Sequence, residues 1–199
     1  MKILTVTGYK GGVGKSTTAV HIAAFFAGKG ETLLIDGDPN RTSVKWAGRG
    51  ELPFKVVSEK ESARHVSGKD YVVIDTPARP NSEDLKELSD GCDLLILPTP
   101  PDILGLEALL ETAEDIQSAN FRALITIVPP KPSSEGEVMK RELVENTVPV
   151  FETMIRRSAS FQKAALSGIP VWEIKNPLAQ SAASDYFNLG KEIMEVLCV

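Results

Sequence analysis

The stretch that decides the fold is Gly-Tyr-Lys-Gly-Gly-Val-Gly-Lys-Ser-Thr, residues 8–17. It fits the phosphate-loop pattern, a glycine and four residues followed by Gly14, Lys15 and Ser16. An apolar run over 3–6 precedes this stretch, and apolar residues at helical spacing follow it at 19, 22, 23 and 26. This strand–loop–helix context predicts a loop whose backbone N–H groups and helix N-terminus bind phosphate oxygens.

The residue types in the loop predict separate roles. Lys15 reaches the β- and γ-phosphates of a nucleotide, and the Ser16 hydroxyl completes the shell of a Mg²⁺ ion. The sequence therefore predicts a nucleotide and Mg²⁺ as cofactors. The residues expected to contact the nucleotide are Lys10, Gly11, Gly12, Val13, Gly14, Lys15, Ser16 and Thr17.

A second lysine, Lys10, stands five positions before Lys15. Lys15 already occupies the place beside its own phosphates, so Lys10 is better placed to reach a nucleotide in a neighbouring subunit; the alternative is a solvated loop lysine. The string Lys-Gly-Gly-Val-Gly-Lys-Ser-Thr resembles the deviant Walker A motif of the ParA/MinD family. That resemblance implies that Lys10 contacts ATP across a sandwich homodimer and acts in catalysis together with Lys15.

Composition limits the class of protein. The chain has 199 residues, a size that suits one α/β domain over 1–199, and ordinary hydrophobic content. The net charge is −5, so affinity for nucleic acid has to come from a local patch. No apolar run reaches membrane-spanning length and no signal peptide precedes the first strand, which predicts a soluble, cytoplasmic protein. Cys92 is expected to be an inert core thiol.

Short apolar runs alternate with helical patterns along the whole chain. This alternation predicts an α/β fold with a doubly wound, mostly parallel sheet, and with the resemblance a P-loop NTPase of the SIMIBI type. The clearest helix is predicted at Ile103–Ser118, and the last one at roughly Ala179–Leu197. Strands are predicted at Ile3–Thr7, Thr32–Asp36, Phe54–Val57, Tyr71–Asp75, Leu94–Pro98 and Ala123–Val128, with a late one near Val148–Phe151.

Three aspartates follow predicted strands at the end where this fold binds ligands. Asp75 ends a hydrophobic strand, as a Walker B carboxylate that holds Mg²⁺ does. Asp36 and Asp38 match the Asp-x-Asp-Pro pattern of the family's switch I. By that resemblance Asp38 orients the attacking water and Asp36 helps organise the metal shell, so the predicted metal residues are Ser16, Asp36 and Asp75. Each aspartate alone is also a common turn-former or helix cap.

Recognition of the base is less well marked. The guanine-reading pattern Asn-Lys-x-Asp is absent from the sequence, which favours ATP over GTP. The family often reads adenine from the loop after a late strand, which here contains Pro129 and Pro130. Because the Asn that many relatives carry there is missing, backbone groups of this loop are the expected contacts.

Features that the chain lacks narrow the resemblance to one branch. It opens directly on the first strand, so the N-terminal helix-turn-helix domain of larger partition ATPases is not expected. Its acidic C-terminal segment argues against membrane targeting, and its two cysteines argue against an iron–sulfur protein. A small ParA-type partition or positioning ATPase remains, and the resemblance implies non-specific DNA binding. The expected DNA-binding residues are Lys140, Arg141, Arg156, Arg157 and Lys163, with Lys191 less favoured.

The sequence thus indicates a nucleoid-associated, Mg-dependent ATPase that dimerises with ATP. Hydrolysis would be slow and stimulated by a ParB-like or adaptor partner, and the cargo could be a plasmid, a chromosome or a protein assembly such as a carboxysome. Two alternatives stay open from the residues alone. One is a metabolic P-loop enzyme that phosphorylates a small substrate, and the other is a non-hydrolysing regulatory or scaffold protein.

Overall fold

The computed structural model describes residues 1–116 and 120–199. Within these residues six strands form one sheet in the order β3-β2-β4-β1-β5-β6, and every pairing between them is parallel. The predicted doubly wound parallel sheet is therefore confirmed. The strands are β1 Lys2–Gly8, β2 Thr32–Asp36, β3 Lys55–Ser58, β4 Tyr71–Ala78, β5 Leu94–Thr99 and β6 Phe121–Ile125.

Helices cover both faces of the sheet. The side chains of β5 show the alternation. Leu94 and Ile96 join the core beneath the first and last helices of the chain, Lys15–Ala27 and Pro177–Leu197, whereas Leu95 and Leu97 join the core beneath the helices Ile103–Asp115 and Glu135–Glu145. Short 3₁₀ turns occupy Glu59–Arg64 and Val171–Glu173. The helices are α1 Lys15–Ala27, α2 Thr42–Ala47, α3 Ser82–Asp90, α4 Ile103–Asp115, α5 Glu135–Glu145, α6 Ala159–Ser167 and α7 Pro177–Leu197.

Polar side chains fix where several helices begin. Asp102 accepts the backbone N–H of Gly105 at the start of α4, and Asn176 accepts that of Ala179 at the start of α7. The backbone of both residues is extended, and each residue stands just before its helix. Each side chain accepts a hydrogen bond from a backbone N–H of the first turn that has no carbonyl partner within the helix. The sequence placed the start of the last helix two residues too late, at Ala179, because it overlooked this Asn-Pro cap.

The predicted strands differ from the structure mainly after β5. The sixth strand begins earlier than predicted and ends at Ile125, because Ile127 turns into the left-handed region at φ 56°. The late strand predicted near Val148–Phe151 is wrong, since Val150 makes just an isolated bridge to Ala123. Positions 117 and 118, which the predicted helix Ile103–Ser118 includes, lie outside the described residues.

Strand order brings the predicted site together. Strand β4 lies between β2 and β1, so Asp36 and Asp75 are register partners and the end of β1 pairs beside them. The phosphate loop leaves β1 at this same edge. Three elements that are far apart in the sequence thus meet at the carboxyl end of the central strands.

Candidate nucleotide-binding site

The phosphate loop joins β1 to α1 with an unusual backbone. Gly12 and Gly14 adopt positive φ angles of 80° and 93°, which residues with a side chain rarely adopt. Gly14 is the N-cap of α1 and offers no side-chain acceptor to the first turn, and that turn carries no acidic residue. The N–H groups and the positive end of the helix are left to an external anion, which is what a phosphate site requires.

A buried threonine holds the loop against the sheet. The Thr126 hydroxyl lies just beyond β6, 2.8 Å from the carbonyl oxygen of Val13 and 3.2 Å from that of Thr99. One such hydroxyl, fully enclosed, fixes the middle of the phosphate loop relative to two strand ends. Thr126 is not predictable from the sequence, because a lone threonine after an apolar run gives no distinct signal.

The loop borders an open cleft of about 510 Å³. Its lining combines phosphate-loop residues with the two segments that follow β2 and β4. The lining residues are Gly11, Gly12, Gly14, Lys15, Ser16, Thr17, Asp38, Pro39, Asn40, Thr42, Pro77 and Ala78. The structure therefore brings the predicted lysine, hydroxyl and switch I carboxylate to one cavity.

Asp75 lies at the base of this site and is completely buried. Its Oδ2 accepts a hydrogen bond from the Ser43 hydroxyl at 2.8 Å, while Oδ1 has no hydrogen-bond partner among the described residues. Burial raises the pKa of this carboxyl to about 6, opposed by the hydroxyls of Ser16 and Ser43 and reinforced by the negative Asp36 and Asp38. Ser43 was not anticipated from the sequence.

These features fit a magnesium ion. A buried carboxylate oxygen without a donor is suited to a metal-bound water, and the Ser16 hydroxyl stands on the same side of the site. No group of three or more His, Cys, Asp or Glu side chains within residues 1–116 and 120–199 is placed to hold a metal. Ser16 and Asp75 would therefore hold Mg²⁺ together with nucleotide phosphates, and the ion would neutralise charge on those phosphates.

Asp36 is engaged by the backbone. Its Oδ1 accepts the N–H of Asp38 at 3.1 Å and its Oδ2 that of Val44 at 2.9 Å, and its carbonyl oxygen accepts from the Arg41 guanidinium. The side chain thus shapes the loop after β2 and supports the start of α2. A direct role in the metal shell remains a prediction, and the structure gives Asp36 a structural role in addition.

Asp38 faces the cleft in a fixed orientation. Both the backbone N–H and the side-chain amide of Asn40 donate to its Oδ1, at 2.8 and 3.0 Å. Such a local turn holds the carboxylate where it lines the cavity. An oriented carboxylate beside the phosphate loop can accept a hydrogen bond from an attacking water. The sequence Asp-Pro-Asn carries the turn signal that would have identified Asn40.

The two lysines occupy different surroundings. Lys15 is buried, its Nζ lies 3.3 Å from the carbonyl oxygen of Lys10, and burial lowers its pKa although Asp75 and Asp38 oppose this. Lys10 is half-buried and its Nζ lies 3.7 Å from Oδ1 of Asp102. Lys15 points its charge into its own loop, whereas Lys10 lies over the start of α4.

Comparison with known proteins is consistent with this geometry. Residues 4–171 match the family described as the CobQ/CobB/MinD/ParA nucleotide binding domain. The chain belongs to this family. It is 37% identical over 202 residues to the "Maintenance of carboxysome distribution protein A" of Gloeobacter kilaueensis, covering 96% of this chain and 94% of that protein. It is 30% identical over 179 residues to "Protein ParA" of Rhizobium radiobacter, covering 80% of each.

Solved structures support the same fold. The ATP complex of a Cyanothece McdA variant aligns with a TM-score of 0.78 at 17% identity, covering 100% of this chain and 97% of that chain. MinD of Pyrococcus horikoshii with Mg-ADP aligns with a TM-score of 0.72 at 16% identity, covering 96% and 95%. The predicted resemblance is confirmed: this is a ParA/MinD-family P-loop ATPase chain.

The predicted adenine loop of this ParA/MinD-family chain is not among the residues that line the cleft. Pro129 and Pro130 follow Val128, whose backbone bonds to Ile155 and Arg157. The bond from Thr126 to Val13 ties this loop region to the phosphate loop. Contact between these prolines and a base remains a prediction.

The predicted DNA-binding residues are unequally available. The Arg156 guanidinium is held at two points by the Asp185 carboxylate, both at 2.7 Å, and Lys140 pairs with Glu152 at 2.5 Å. The other three, Arg141, Arg157 and Lys163, are exposed and make no ion pair within the described residues. In the described part of the chain no helix is both long and apolar enough to cross a membrane.

Proposed function

We propose that this chain is an ATP-dependent dimerising switch that positions a cargo on DNA. The observation that carries the proposal is the pair of lysines: the Lys15 side chain is buried within the phosphate loop, while the Lys10 ammonium is partly exposed and lies 3.7 Å from Asp102 at the start of α4. A lysine so placed is available to a nucleotide in a second copy. This arrangement supports homodimerisation with ATP and Mg²⁺.

Hydrolysis uses groups that the cleft brings together. Lys15 and the α1 N-terminus stabilise charge on the phosphates, Asp38 orients the attacking water, and Lys10 of each copy adds a positive charge to the partner's nucleotide. Because the Lys10 that acts on each nucleotide belongs to the other copy, turnover depends on dimerisation. A ParB-like or adaptor partner that stabilises this arrangement would stimulate the slow basal rate.

The favoured cargo is a protein assembly of the carboxysome type. Relatives from Gloeobacter kilaueensis and Halothiobacillus neapolitanus that span nearly the whole chain are named for carboxysome distribution. Plasmid partition is the second candidate, supported by the ParA relative at 30% identity over 80% of the chain. In either case the ATP dimer would bind nucleoid DNA without sequence preference.

The first test combines ATP hydrolysis with DNA binding at several salt concentrations, in ADP and in ATP. The wild type is expected to bind DNA with ATP alone, and binding should weaken steeply with salt. Lys10→Ala should still bind ATP but lose DNA binding, whereas Lys60→Ala, at an exposed lysine of the 3₁₀ turn Glu59–Arg64, should behave as wild type. Asp38→Ala should bind ATP and lose at least about 100-fold in hydrolysis.

Equal DNA binding in ADP and ATP would contradict the switch. Hydrolysis that ignores DNA and Lys10 but requires a metabolite would instead support a metabolic P-loop enzyme.

A further inference from the structure

Large apolar side chains stand exposed at the start of α4. Ile103 is 65% exposed and Leu104 60%, and they directly follow Asp102, the N-cap that lies 3.7 Å from the Lys10 ammonium. A groove of about 410 Å³ begins at Asp102 and Ile103 and continues towards α5, where the exposed Val138 also lines it; Leu104 is the next residue along α4. Neighbouring exposed apolar side chains on one surface are typical of an interaction site.

The position of Lys10 indicates what covers this surface. In the proposed function, on which this inference rests, Lys10 reaches the nucleotide of a second copy. In a dimer with two-fold symmetry, each Lys10 crosses to the other subunit, so both phosphate loops lie close to the axis. The start of α4 touches Lys10 through Asp102 and must then lie inside the same footprint.

We propose that Ile103, Leu104 and Val138 form an apolar contact surface for a second copy of this chain. ATP binding aligns the phosphate loops, and burial of these side chains then supplies apolar contact area beside the polar nucleotide site. Lys10 leaves Asp102 as the two copies meet. The surface is continuous with the phosphate loop, which distinguishes this assignment from a site for an unrelated protein elsewhere on the molecule.

The test replaces the two apolar side chains on α4, one at a time, with glutamine, which keeps a good helix former while removing apolar area. Ile103→Gln and Leu104→Gln are compared with Leu166→Gln, a matched control because Leu166 is 73% exposed on α6. Sedimentation velocity with Mg²⁺ and a non-hydrolysable ATP analogue gives the dimer dissociation constant. Calorimetry on the dilute monomer gives nucleotide affinity.

We expect the dimer of either α4 variant to be weakened roughly 10- to 100-fold, because two-fold symmetry repeats each substitution. Nucleotide affinity and the unfolding midpoint should match those of wild type, and Leu166→Gln should dimerise normally. A wild type that stays monomeric with the analogue would overturn the proposed function itself. If the wild type dimerises and the α4 variants dimerise equally well, the proposed contact surface is wrong and the proposed function is unaffected. The same holds if the α4 variants dimerise normally and lose only the stimulation of hydrolysis by an adaptor.

Discussion

The carboxylate of Asp75 is held where its surroundings make its charge unfavourable. It is buried, and Asp36 and Asp38 add negative potential, so its pKa rises to about 6. Above that pH the folded chain carries a charge that the unfolded chain would carry at lower cost. The proposed binding of Mg²⁺ would explain why this residue is nevertheless an aspartate, because the ion would reverse the local balance of charge.

Asp75→Asn should therefore stabilise the nucleotide-free fold while abolishing Mg-dependent hydrolysis. The ordinary pKa is 3.8, so the gain should fall from at most about 3 kcal/mol at pH 7 to about 0.5 kcal/mol at pH 4, as protonation removes the penalty. Urea unfolding of both proteins across this pH range measures the difference. Asp90→Asn, at the exposed end of α3, is the control and should show little change. A destabilised Asp75→Asn at pH 7 would contradict the argument.

His21 lies on α1 behind the phosphate loop, and its pKa is lowered, whereas that of Asp75 is raised. Its Nδ1 lies 2.7 Å from the carbonyl oxygen of Thr17, and its Nε2 accepts the backbone N–H of Val171 at 3.0 Å. The ring stacks on Tyr186 at a centroid distance of 4.5 Å. Burial lowers the pKa of this histidine to about 4, so it stays neutral in the folded chain and joins the first turn of α1 to the segment before α7.

The neutral state of His21 predicts a loss of stability in acid. Between its ordinary pKa of 6.5 and about 4 the unfolded chain binds a proton that the folded chain does not. Lowering the pH from 7 to 5 should thus cost about 2 kcal/mol through this residue. The opposing effect of Asp75 hides part of that loss in wild type. In an Asp75→Asn background the acid loss should be fully visible, and adding His21→Asn should flatten it; an unchanged slope would exclude His21 as its source.

At the scale of elements, the start of α4 combines two functions in one side chain. Oδ1 of Asp102 accepts the backbone N–H of Gly105 at 2.7 Å and also faces Lys10 at 3.7 Å. The first contact stabilises the helix, and the second holds the lysine that the proposed dimer requires. Because both groups of the ion pair are partly exposed, its contribution is small, on the order of 1 kcal/mol or less.

Variants of Asp102 should separate these two functions. Asp102→Asn keeps an N-cap acceptor but removes the charge, so the free energy of unfolding should change little, while Asp102→Ala should lose about 1 kcal/mol. Both release Lys10, so both should dimerise at ATP concentrations up to about fivefold lower than wild type. Sedimentation during an ATP titration and thermal unfolding measure the two effects. If dimerisation changed in Asp102→Ala, which destabilises the helix, but not in Asp102→Asn, which loses only the charge, release of Lys10 would not be the cause.

Elements with a complete local pattern were predictable from sequence. The first two strands and the loop between β1 and α1 carry strong patterns, and the structure has them where the sequence analysis placed them. The end of β6 was not predictable, because it depends on the left-handed turn at Ile127. The segment near Val150 has strand-like residues but pairs at one position, and nothing local in the sequence reports the length of a pairing.

The residues of the candidate site also divide into predictable and unpredictable ones. Lys15, Ser16 and Asp38 line one cleft as expected, since each lies at a strand end or in the phosphate loop. The residues that orient them were missed: Ser43 lies 32 positions from Asp75, and Thr126 lies 113 positions from Val13. Such partners are set by packing between distant segments. A single sequence without structure contains no spacing that identifies them.

At the scale of the whole molecule, charge is the main constraint on the proposed DNA surface. The chain has a net charge of −5, and Asp185 and Glu152 pair with two of the five predicted DNA-binding residues. Affinity would then depend mainly on Arg141, Arg157 and Lys163, which are exposed. Three charges make a weak site in one copy. The proposed dimer would double them, which would explain how an acidic chain could bind DNA in the ATP state alone.

Arg157→Gln tests this surface because its side chain is exposed while its backbone N–H stays bonded to Val128. Each dimer loses two phosphate contacts, so the slope of log K against log salt should shrink by about 2 and the affinity in ATP should fall several-fold. Arg156→Gln should have a smaller effect, because Asp185 already holds that guanidinium.

Arg64→Gln, at an exposed arginine at the end of the turn Glu59–Arg64, is the control. ATP hydrolysis without DNA should be unchanged in all three, so a variant that loses dimerisation is recognised as such. If Arg156→Gln has the larger effect, the Asp185 pair opens on DNA and the available surface extends to α7.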